Sequence, residues 1–482
     1  MIIQSDWQAS FSFSDPKPIL VEPQQAQLTS DAGLLPFRQL DEQIGLTAQF
    51  AAALYDPRDP AATTHSYLQM VRTRIFGILA GYADQNDHDV LRNDPLFKLL
   101  AGRSPNGQEL ASQPTLSRFE NAINVASLRR LQDVLIDQFI ASFSTPPLHL
   151  TFDIDVFDDP THGHQQLTFF HGYYDQYQYL PRAITCKEND HVVMVCLLFG
   201  TASATLGIED DLTYLVERLR KVWPDVRIIL RGDSGFAVPR TYTLCEGLRV
   251  DYTFGLAMNA VLKRRSDELL QEALRRYEET HQPQRLFTAF WYQAGTWPIP
   301  RWTIIKAEAH DQGTNRRAIV TNRPGATLYL QATYDEYTER GESENRNKEL
   351  KCGLEADRLS DHRYMANLFR LYLHTAAANL LARLRSVVAD PPAPQHPTEV
   401  PTEALGGKDR HDYFNHRRDR DPLGEAQPCT WRTRLIKVAA EIVVSARRIV
   451  VRLASNWPYL EHYRQVAEAV LRFQATNASA TG

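Results

Sequence analysis

The spacing of apolar positions changes several times along the chain. Up to about residue 145, apolar residues mostly recur three and four positions apart, with Ser, Asp and Pro between the segments, which predicts short helices. The runs LHLTFDIDVF, QYLPRAITCK and HVVMVCLLFG then predict three strands joined by short turns. A helix, a strand ending in Asp233, a second helix and a fifth strand follow. The predicted order βββαβαβ is that of an α/β sheet with helices packed against it.

These changes divide the chain into six predicted segments. We expect a helical N-terminal domain, an α/β core in two parts separated by a β-rich insertion, a linker, and basic C-terminal helices. The linker is assigned because its residues are polar and Pro-rich, without aliphatic runs. In chain order the predicted bounds are 1–145, 146–260, 261–330, 331–388, 389–428 and 429–482.

Composition narrows the class of protein. Of the 482 residues 43% are hydrophobic and 23% charged, and the sequence has no apolar run long enough to span a bilayer. The N-terminus lacks the pattern of a signal peptide, and five scattered cysteines without C-x-x-C are typical of reduced thiols. We therefore expect a cytoplasmic protein without a membrane partner. A net charge of −5 argues against a nucleic-acid partner, but the C-terminal segment is locally basic.

Two predicted strands end in carboxylates that are candidates for chemistry. Asp155 ends the first strand and Asp233 the fourth. In the βββαβαβ order these strands can lie side by side, so both side chains can converge at one sheet edge. Paired carboxylates suit Mg²⁺, and two such ions about 3.5–4 Å apart are the usual clamp for displacement at phosphorus. Such a site needs a third acid further along the chain.

The segment YTERGESENRNKELK supplies that acid. Tyr337, Arg340, Glu344 and Lys351 have the spacing Y-x2-R-x3-E-x6-K, whose steps of three, four and seven place all four on one helical face. Alternatively, Gly341 starts the helix and Tyr337 lies in the preceding turn. An acid flanked by Arg and Lys is suited to holding a metal beside phosphates that the two basic groups bind.

Taken together, these motifs resemble the DDE transposases of the bacterial insertion-sequence type, group 1, in the subgroup with the Y-x2-R-x3-E-x6-K signature. FDIDVFDDPTHGHQ, IILRGDSGF and RGESENRNKELK carry the resemblance in the core, and LTSDAGLL, GYADQND and SQPTLSRFEN carry it in the helical domain. The resemblance implies an RNase H-like fold. It also implies cleavage and strand transfer of double-stranded DNA at terminal inverted repeats and target DNA, a homodimer on DNA, and a nucleoid-associated location in bacteria.

The resemblance assigns roles to individual residues. The metal ligands would be Asp155, Asp233 and Glu344, holding two Mg²⁺ ions, with Mn²⁺ as a substitute. The groups that contact DNA phosphates near the cut would be Tyr337, Arg340 and Lys351. The helical domain would bind DNA, with Arg72, Arg74 and Arg118 on short helices as candidates; solvated surface charges are the other interpretation of these three.

Three further groups of residues bear on the assignment of the site: those at the first acid, the tryptophans of the insertion, and the histidines after the first strand. Relatives read Asp-x-Thr at the first acid, whereas Phe157 stands at the Thr position here, so Asp153 is kept as a substitute for Asp155. In relatives an aromatic from the β insertion contacts a displaced base, which makes candidates of Trp291, Trp297 and Trp302. The histidines His162, His164 and His171 are interpreted as loop residues and not as a metal site.

Two other functions fit parts of the sequence. DIDVF resembles the nucleophile motif of haloacid-dehalogenase-type phosphatases, with Asp153 as the phosphorylated group and Asp155 as the acid. However, that strand should enter a helix and a doubly wound sheet, whereas here two more strands follow. The other alternative is a transposase-derived DNA-binding protein without cleavage activity, for which the loss of one acid would be the expected mark.

Overall fold

The computed structural model describes residues 8–11, 17, 19–23, 26–172, 174–389 and 426–480. All but the ends of the predicted linker 389–428 lies outside these residues. Within the described residues, no helix is both long and apolar enough to cross a membrane.

Helices dominate the N-terminal part, in agreement with its apolar spacing. Three short strands come first: β1 (Ala9–Phe11), β2 (Ile19–Val21) and β3 (Leu28–Thr29). The helices are α1 (Leu35–Ile44), α2 (Leu46–Ala53), α3 (Tyr67–Ala80), α4 (His88–Leu91), α5 (Pro95–Leu100), α6 (Gln113–Asn121) and α7 (Val125–Ile140). α3 has well-defined ends, because Ser66 and Gln69 form a capping box and Gly81 adopts a left-handed conformation with φ of 91°.

A mixed sheet forms the centre of the molecule. Its first strands are β4 (His149–Val156), β5 (Asp159–Pro160), β6 (Phe169–His171), β7 (Gln176–Cys186) and β8 (Val192–Phe199). They are followed by α8 (Ile208–Val222), β9 (Arg227–Gly232), α9 (Pro239–Gly247) and β10 (Asp251–Leu256). The main strands lie in the order β8-β7-β4-β9-β10, with β4, β9 and β10 parallel. The predicted adjacency of the first and fourth long strands is confirmed.

α8 connects β8 to β9, and its charged residues are arranged favourably for a helix. Its first turn carries Glu209, Asp210 and Asp211, and its last turn carries Arg220 and Lys221, which complements the helix dipole. Leu212, Leu215 and Leu219 form the face buried against the sheet. Burial of that face fixes β9 beside β4.

The segment predicted as a β-rich insertion is only partly β. It begins with two helices, α10 (Ala260–Arg265) and α11 (Asp267–Thr280), and continues as β11 (Gln284–Tyr292), β12 (Arg301–His310) and β13 (Gly313–Thr321). The expectation of strand and loop was wrong for α11, which buries only Ala273 and is supported by ion pairs such as Glu272–Arg276. β13 pairs antiparallel with β10, so the three strands extend the central sheet.

The chain then returns to helices, and its last part contradicts one expectation. α12 (Leu330–Thr338), α13 (Gly341–Lys348), a π-helical turn (Glu349–Gly353) and α14 (Tyr364–Val388) precede the undescribed segment. After it come α15 (Pro428–Trp431), a second π-helical turn (Arg432–Ile436), β14 (Ala440–Val444), β15 (Ile449–Leu453) and α16 (Leu460–Ala480). The prediction of helices throughout 429–482 was wrong at the β14–β15 hairpin. β14 pairs with β3 from the N-terminal part, and this tertiary partner determines its conformation.

Two hydrophobic cores meet at α7. One contains the N-terminal helices, α14 and the C-terminal segment, where Trp431 is completely buried and its ring packs edge-on against Phe37. The other lies between the central sheet, α8 and α9. α7 contributes Leu131 to the first core and Phe139 to the second, and thereby holds the helical part against one side of the sheet.

Candidate active site

Asp155 and Asp233 lie beside each other at the carboxyl ends of two parallel strands. The register of β4 and β9 pairs Ile154 with Gly232. Asp155 is the residue after Ile154, and Asp233 is the residue after Gly232. Carboxyl ends of neighbouring parallel strands open at the same sheet edge, which is a usual position for binding sites. The Asp155 Oδ1 accepts a hydrogen bond from the Val156 amide, and the Asp233 Oδ1 accepts one from the Gly235 amide, both of 2.9 Å.

The surroundings of Asp155 disfavour the ionised form of its carboxylate. Burial is the largest cause that raises its pKa, and together with the nearby carboxylates of Asp233 and Glu344 it brings the value to about 6, against the lowering effect of Arg340. Asp155 therefore interacts with both other acids, although each comes from a different element. A cation at this edge of the sheet would relieve the repulsion.

Arg340 provides positive charge at this position. Its NH1 donates to the Asp155 Oδ2 at 3.1 Å, and its NH2 donates to the Glu344 Oε1. Arg340 lies at the junction of α12 and α13, because α13 begins at Gly341. The signature therefore does not occupy one continuous helix. The alternative that Gly341 starts the helix is confirmed, with Tyr337 in the last turn of α12.

Tyr337 packs against the strand next to Asp233. A Cβ added at Gly255 in β10 would lie 2.5 Å from the Tyr337 hydroxyl oxygen and 3.4 Å from the Ser234 amide nitrogen. Glycine at this position thus leaves the space that the tyrosine occupies. Burial raises the pKa of Tyr337, and the neighbouring Arg340 lowers it while Asp233 and Glu344 raise it, so the phenol belongs to the same charged cluster.

Lys351 lies further along the same edge. It is in the π-helical turn after α13, and its ammonium group donates to the Asp158 Oδ1 in the loop that follows β4. Asp158 also accepts from the Gln176 amide at 3.1 Å. Lys351 is thus held beside the carboxylate cluster by a different partner from that of Arg340.

Asp153 has a structural partner and is not available as a metal ligand. The Arg231 Nε and NH2 donate to its two carboxylate oxygens, each at 2.7 Å, and both side chains are almost completely buried. This pairing argues against Asp153 as a substitute for Asp155, because both of its oxygens are engaged by a buried guanidinium. The same pair excludes Asp153 as a phosphorylated nucleophile. The Phe157 side chain is buried in the helical core.

The structure contradicts the predicted DNA contact for two of the three arginines in the helical domain, because both are buried. Arg74 is 1% exposed, and its Nε donates to Glu120 at 2.8 Å inside the core. Arg72 is also buried, with its NH2 3.3 Å from the Glu42 Oε2. Helical spacing alone did not separate these core ion pairs from surface charges. Arg118 is exposed on α6, where its NH2 donates to the Thr115 hydroxyl at 3.0 Å.

The aromatic and histidine candidates are also distinguished by exposure. Trp297 is 6% exposed and packs against Tyr242 and Tyr292, so it is a core residue. The Trp302 Nε1 donates to the Ala326 carbonyl, whereas Trp291 is 60% exposed on β11. The loop residues His162 and His164 are exposed.

The donor chemistry of the cluster fits Mg²⁺. In the part of the chain that the structure describes, no three His, Cys, Asp or Glu side chains are already grouped closely enough to hold a metal ion. Around Asp155, the guanidinium of Arg340 occupies the space between two of the three acids. Carboxylate oxygens are the ligands that Mg²⁺ prefers, and the charges of Asp233 and Glu344 both act on Asp155.

Two contacts near the cluster were not predicted from the sequence alone: the Arg231–Asp153 ion pair and the packing of Tyr337 on Gly255. Arg231 is a charged residue within the apolar strand IILRGDSGF, and Asp153 is a charged residue within the apolar strand LTFDIDVF. Opposite charges in two buried, adjacent strands were a usable signal for the ion pair. No signal in the sequence indicated the role of Gly255, because the contact with Tyr337 joins segments about eighty residues apart.

Comparison with known proteins gives one extensive match. A family model described as Transposase DDE domain group 1 matches residues 11–397. One solved structure, described as the piggyBac transposase synaptic complex with hairpin DNA, is 14% identical over 84% of this chain and 85% of that chain, with a TM-score of 0.39. That similarity is too weak to support a conclusion about this chain. The search of curated proteins finds no match.

Proposed function

The chain belongs to the Transposase DDE domain group 1 family, and on this premise we propose that it is an insertion-sequence transposase. It binds the terminal inverted repeats of its element, cuts DNA there, and joins the freed end to target DNA. The observation that carries the proposal is the cluster of Asp155, Asp233 and Glu344 with Arg340 between two of them. An acidic cluster of this kind at a strand edge is suited to phosphoryl transfer.

The carboxylates of Asp155, Asp233 and Glu344 would hold the two Mg²⁺ ions, or Mn²⁺ in their place. When bound, the metal supplies Lewis-acid stabilisation of the negative charge that develops on phosphate oxygens. Arg340 has to turn away from Asp155 and Glu344 for all three carboxylates to serve as ligands. Its guanidinium is then free to bind a DNA phosphate with two parallel hydrogen bonds.

The remaining residues of the cluster position the DNA backbone. Lys351, paired with Asp158 three residues after Asp155, adds a second positive charge, and with Arg340 it would bind neighbouring phosphates. Tyr337, fixed by its packing against Gly255, places a hydroxyl beside Asp233. Positioning and charge neutralisation of this kind can supply most of the catalysis of phosphoryl transfer.

Two in-line displacements complete the proposed reaction. Water attacks a phosphodiester at the element end, and the leaving 3′ oxygen takes up a proton to give a free 3′-OH. That hydroxyl then attacks a phosphodiester of target DNA, loses its proton, and releases a new 3′-OH from the target strand. Because two ends must be joined, we propose a homodimer on DNA, with the exposed Arg118 of the helical domain among its DNA contacts.

The test uses the full chain with labelled DNA that carries a candidate element end, in Mg²⁺. Asp155→Asn, Asp233→Asn and Glu344→Gln should each abolish formation of 3′-OH product while DNA binding, measured by gel shift, is kept. Glu342→Gln is the matched control, because Glu342 is exposed on the same helix α13. Cleavage by Glu344→Gln at the rate of the unmodified protein would show that the site is wrongly assigned. Binding without cleavage by the unmodified protein would favour a DNA-binding protein that no longer cuts.

A further inference from the structure

A polar cavity lies in the helical part of the molecule. It has a volume of about 480 Å³ and is enclosed by α1, α7, α14, α16 and the segment before β8. No Asp or Glu lines it. Its lining includes one arginine, Arg383 of α14, together with His191, Ser142 and Ser386.

Arg383, like the partly buried Arg220 and Arg432, lacks the carboxylate partner that the buried arginines have. Among the described residues, each buried arginine has a carboxylate oxygen within 4.0 Å. Arg383, which is partly buried, has none. Its NH1 donates to the Ser142 carbonyl at 3.0 Å, and its guanidinium lies 5.3 Å from the centre of the Phe473 ring. A partly buried charge without a counter-charge is unfavourable.

The other groups around the cavity do not balance this charge. Burial lowers the pKa of Arg383, and no acidic side chain acts in the opposite direction. Burial and the nearby Arg383 lower the pKa of His191 to about 4, so the imidazole is neutral at pH 7. Asp190 acts in the opposite direction on the pKa of His191, as the smallest of these effects, and it lies 3.6 Å from Arg346. The cavity therefore has a net positive charge.

We propose that this cavity is a binding site for a phosphate-type oxyanion, held by the guanidinium of Arg383 with the Ser386 hydroxyl at its rim. The planar guanidinium matches an oxyanion with two parallel hydrogen bonds, and such charge-assisted bonds are the strong ones. The phosphate can belong to a free small molecule or to a DNA backbone. The site is separate from the carboxylate cluster, so the proposal does not depend on the proposed catalytic function.

The experiment measures binding of inorganic phosphate to the full chain by calorimetry, at constant ionic strength in chloride. Arg383→Gln should weaken binding by about tenfold or more, because it removes a charge-assisted hydrogen-bond donor. Arg220→Gln is the matched control: Arg220 also donates only to main-chain carbonyls, those of Leu248 and Arg249, and lies on α8. The control should bind phosphate as the unmodified protein does.

A second variant keeps the test decisive if Arg383→Gln fails to fold. Ser386→Glu places a carboxylate three residues from Arg383 on the exposed side of α14, where it can pair with the guanidinium and exclude phosphate. Ser386→Ala removes only the rim hydroxyl, so it should bind phosphate more weakly than the unmodified protein but much more tightly than Ser386→Glu. Absence of phosphate binding to the unmodified protein, or equal binding by Ser386→Glu, would overturn the proposal.

The two sources of phosphate are separated by adding duplex DNA. If saturating duplex DNA prevents phosphate binding at this site, and Arg383→Gln also weakens DNA binding, the natural ligand is a backbone phosphate. If the DNA complex binds inorganic phosphate as well as the free protein does, the ligand is a small phosphate compound. Both results support an oxyanion site.

Discussion

Arg231 binds Asp153 through two hydrogen bonds of 2.7 Å between neighbouring positions of the parallel strands β9 and β4. The third nitrogen of the same guanidinium donates to the Glu336 carbonyl of α12, the helix that carries Tyr337. The pair therefore connects both strands that carry the aspartates of the site to the helix of the signature. Asp153 is a positioning residue, and this role explains a second carboxylate in an apolar strand.

Asp153→Asn should destabilise the protein strongly. It leaves the buried Arg231 without its counter-charge, and breaking a buried pair in this way typically costs about 3–5 kcal/mol. Urea unfolding measures the change in the free energy of unfolding. Joint replacement of Asp153 and Arg231 by Leu and Met should recover much of the loss, since no unpaired charge remains. A single variant as stable as the unmodified protein would contradict the structural role.

Asp155→Asn should instead stabilise the metal-free protein at neutral pH. The folded-state pKa of Asp155 is about 6, above the unfolded value of about 3.9. The folded state therefore binds the proton more tightly, and this contribution to stability is complete below about pH 4 and is lost as the pH rises through about 6. Above that range the variant should be more stable by on the order of 2 kcal/mol. Thermal melts at about pH 4 and about pH 7.5 should show the advantage only at the higher pH.

Gly255→Ala should disturb Tyr337 without unfolding the protein. The added Cβ would lie 2.5 Å from the tyrosine hydroxyl, so the ring must shift. Displacement of a positioning group by about 1 Å can lower the rate by roughly a hundredfold. The measurement is the rate of DNA cleavage.

Two controls show whether the effect of Gly255→Ala passes through Tyr337. Gly247→Ala adds a Cβ with nothing within 4 Å and should have no effect on cleavage. In a Tyr337→Phe background the clashing hydroxyl is absent and the nearest ring carbon is 3.5 Å away, so Gly255→Ala should cost little more. Equal losses in both backgrounds would place the effect elsewhere.

Arg118→Gln and Arg74→Gln should separate DNA binding from stability. Arg118 is exposed, so its removal should weaken DNA binding with little change in the free energy of unfolding. The slope of the logarithm of the DNA-binding constant against the logarithm of the salt concentration should become less steep by about one. Arg74 is buried against Glu120, so its removal should cost about 3–5 kcal/mol of unfolding free energy. Gel shifts across a salt series and urea unfolding measure the two quantities. Unchanged DNA affinity in Arg118→Gln would remove it from the proposed interface.

Much of the candidate site could be predicted because it depends on local rules. Asp155 and Asp233 end apolar strands, and the strand order alone makes their side chains neighbours. The spacing from Arg340 to Glu344 is one helical turn, which is sufficient to predict their contact. The break between α12 and α13 did not disturb that contact, because Arg340 keeps helical backbone angles at the start of α13.

Other features depended on contacts between distant segments. Whether Arg72 and Arg74 lie at the surface or in the core depends on Glu42 and Glu120, on other helices. The β14–β15 hairpin was expected to be helical, because its pairing with β3 joins residues more than four hundred positions apart. α11 was missed for a different reason. Leu270, Ala273 and Tyr277 have helical spacing and ion pairs such as Glu272–Arg276 are local, so the sequence contained a helix signal that the expectation of strand and loop overlooked.

The sequence by itself determined the helical and α/β parts of the chain and three candidate acids, because apolar periodicity and strand order act over short stretches. Only the tertiary structure distinguishes Asp153 from Asp155, since both have the same local pattern and the same strand face. The difference is that Asp153 faces a buried guanidinium of the neighbouring strand. A buried charge requires a partner, and that partner is defined by packing across the sheet and not by position along the chain.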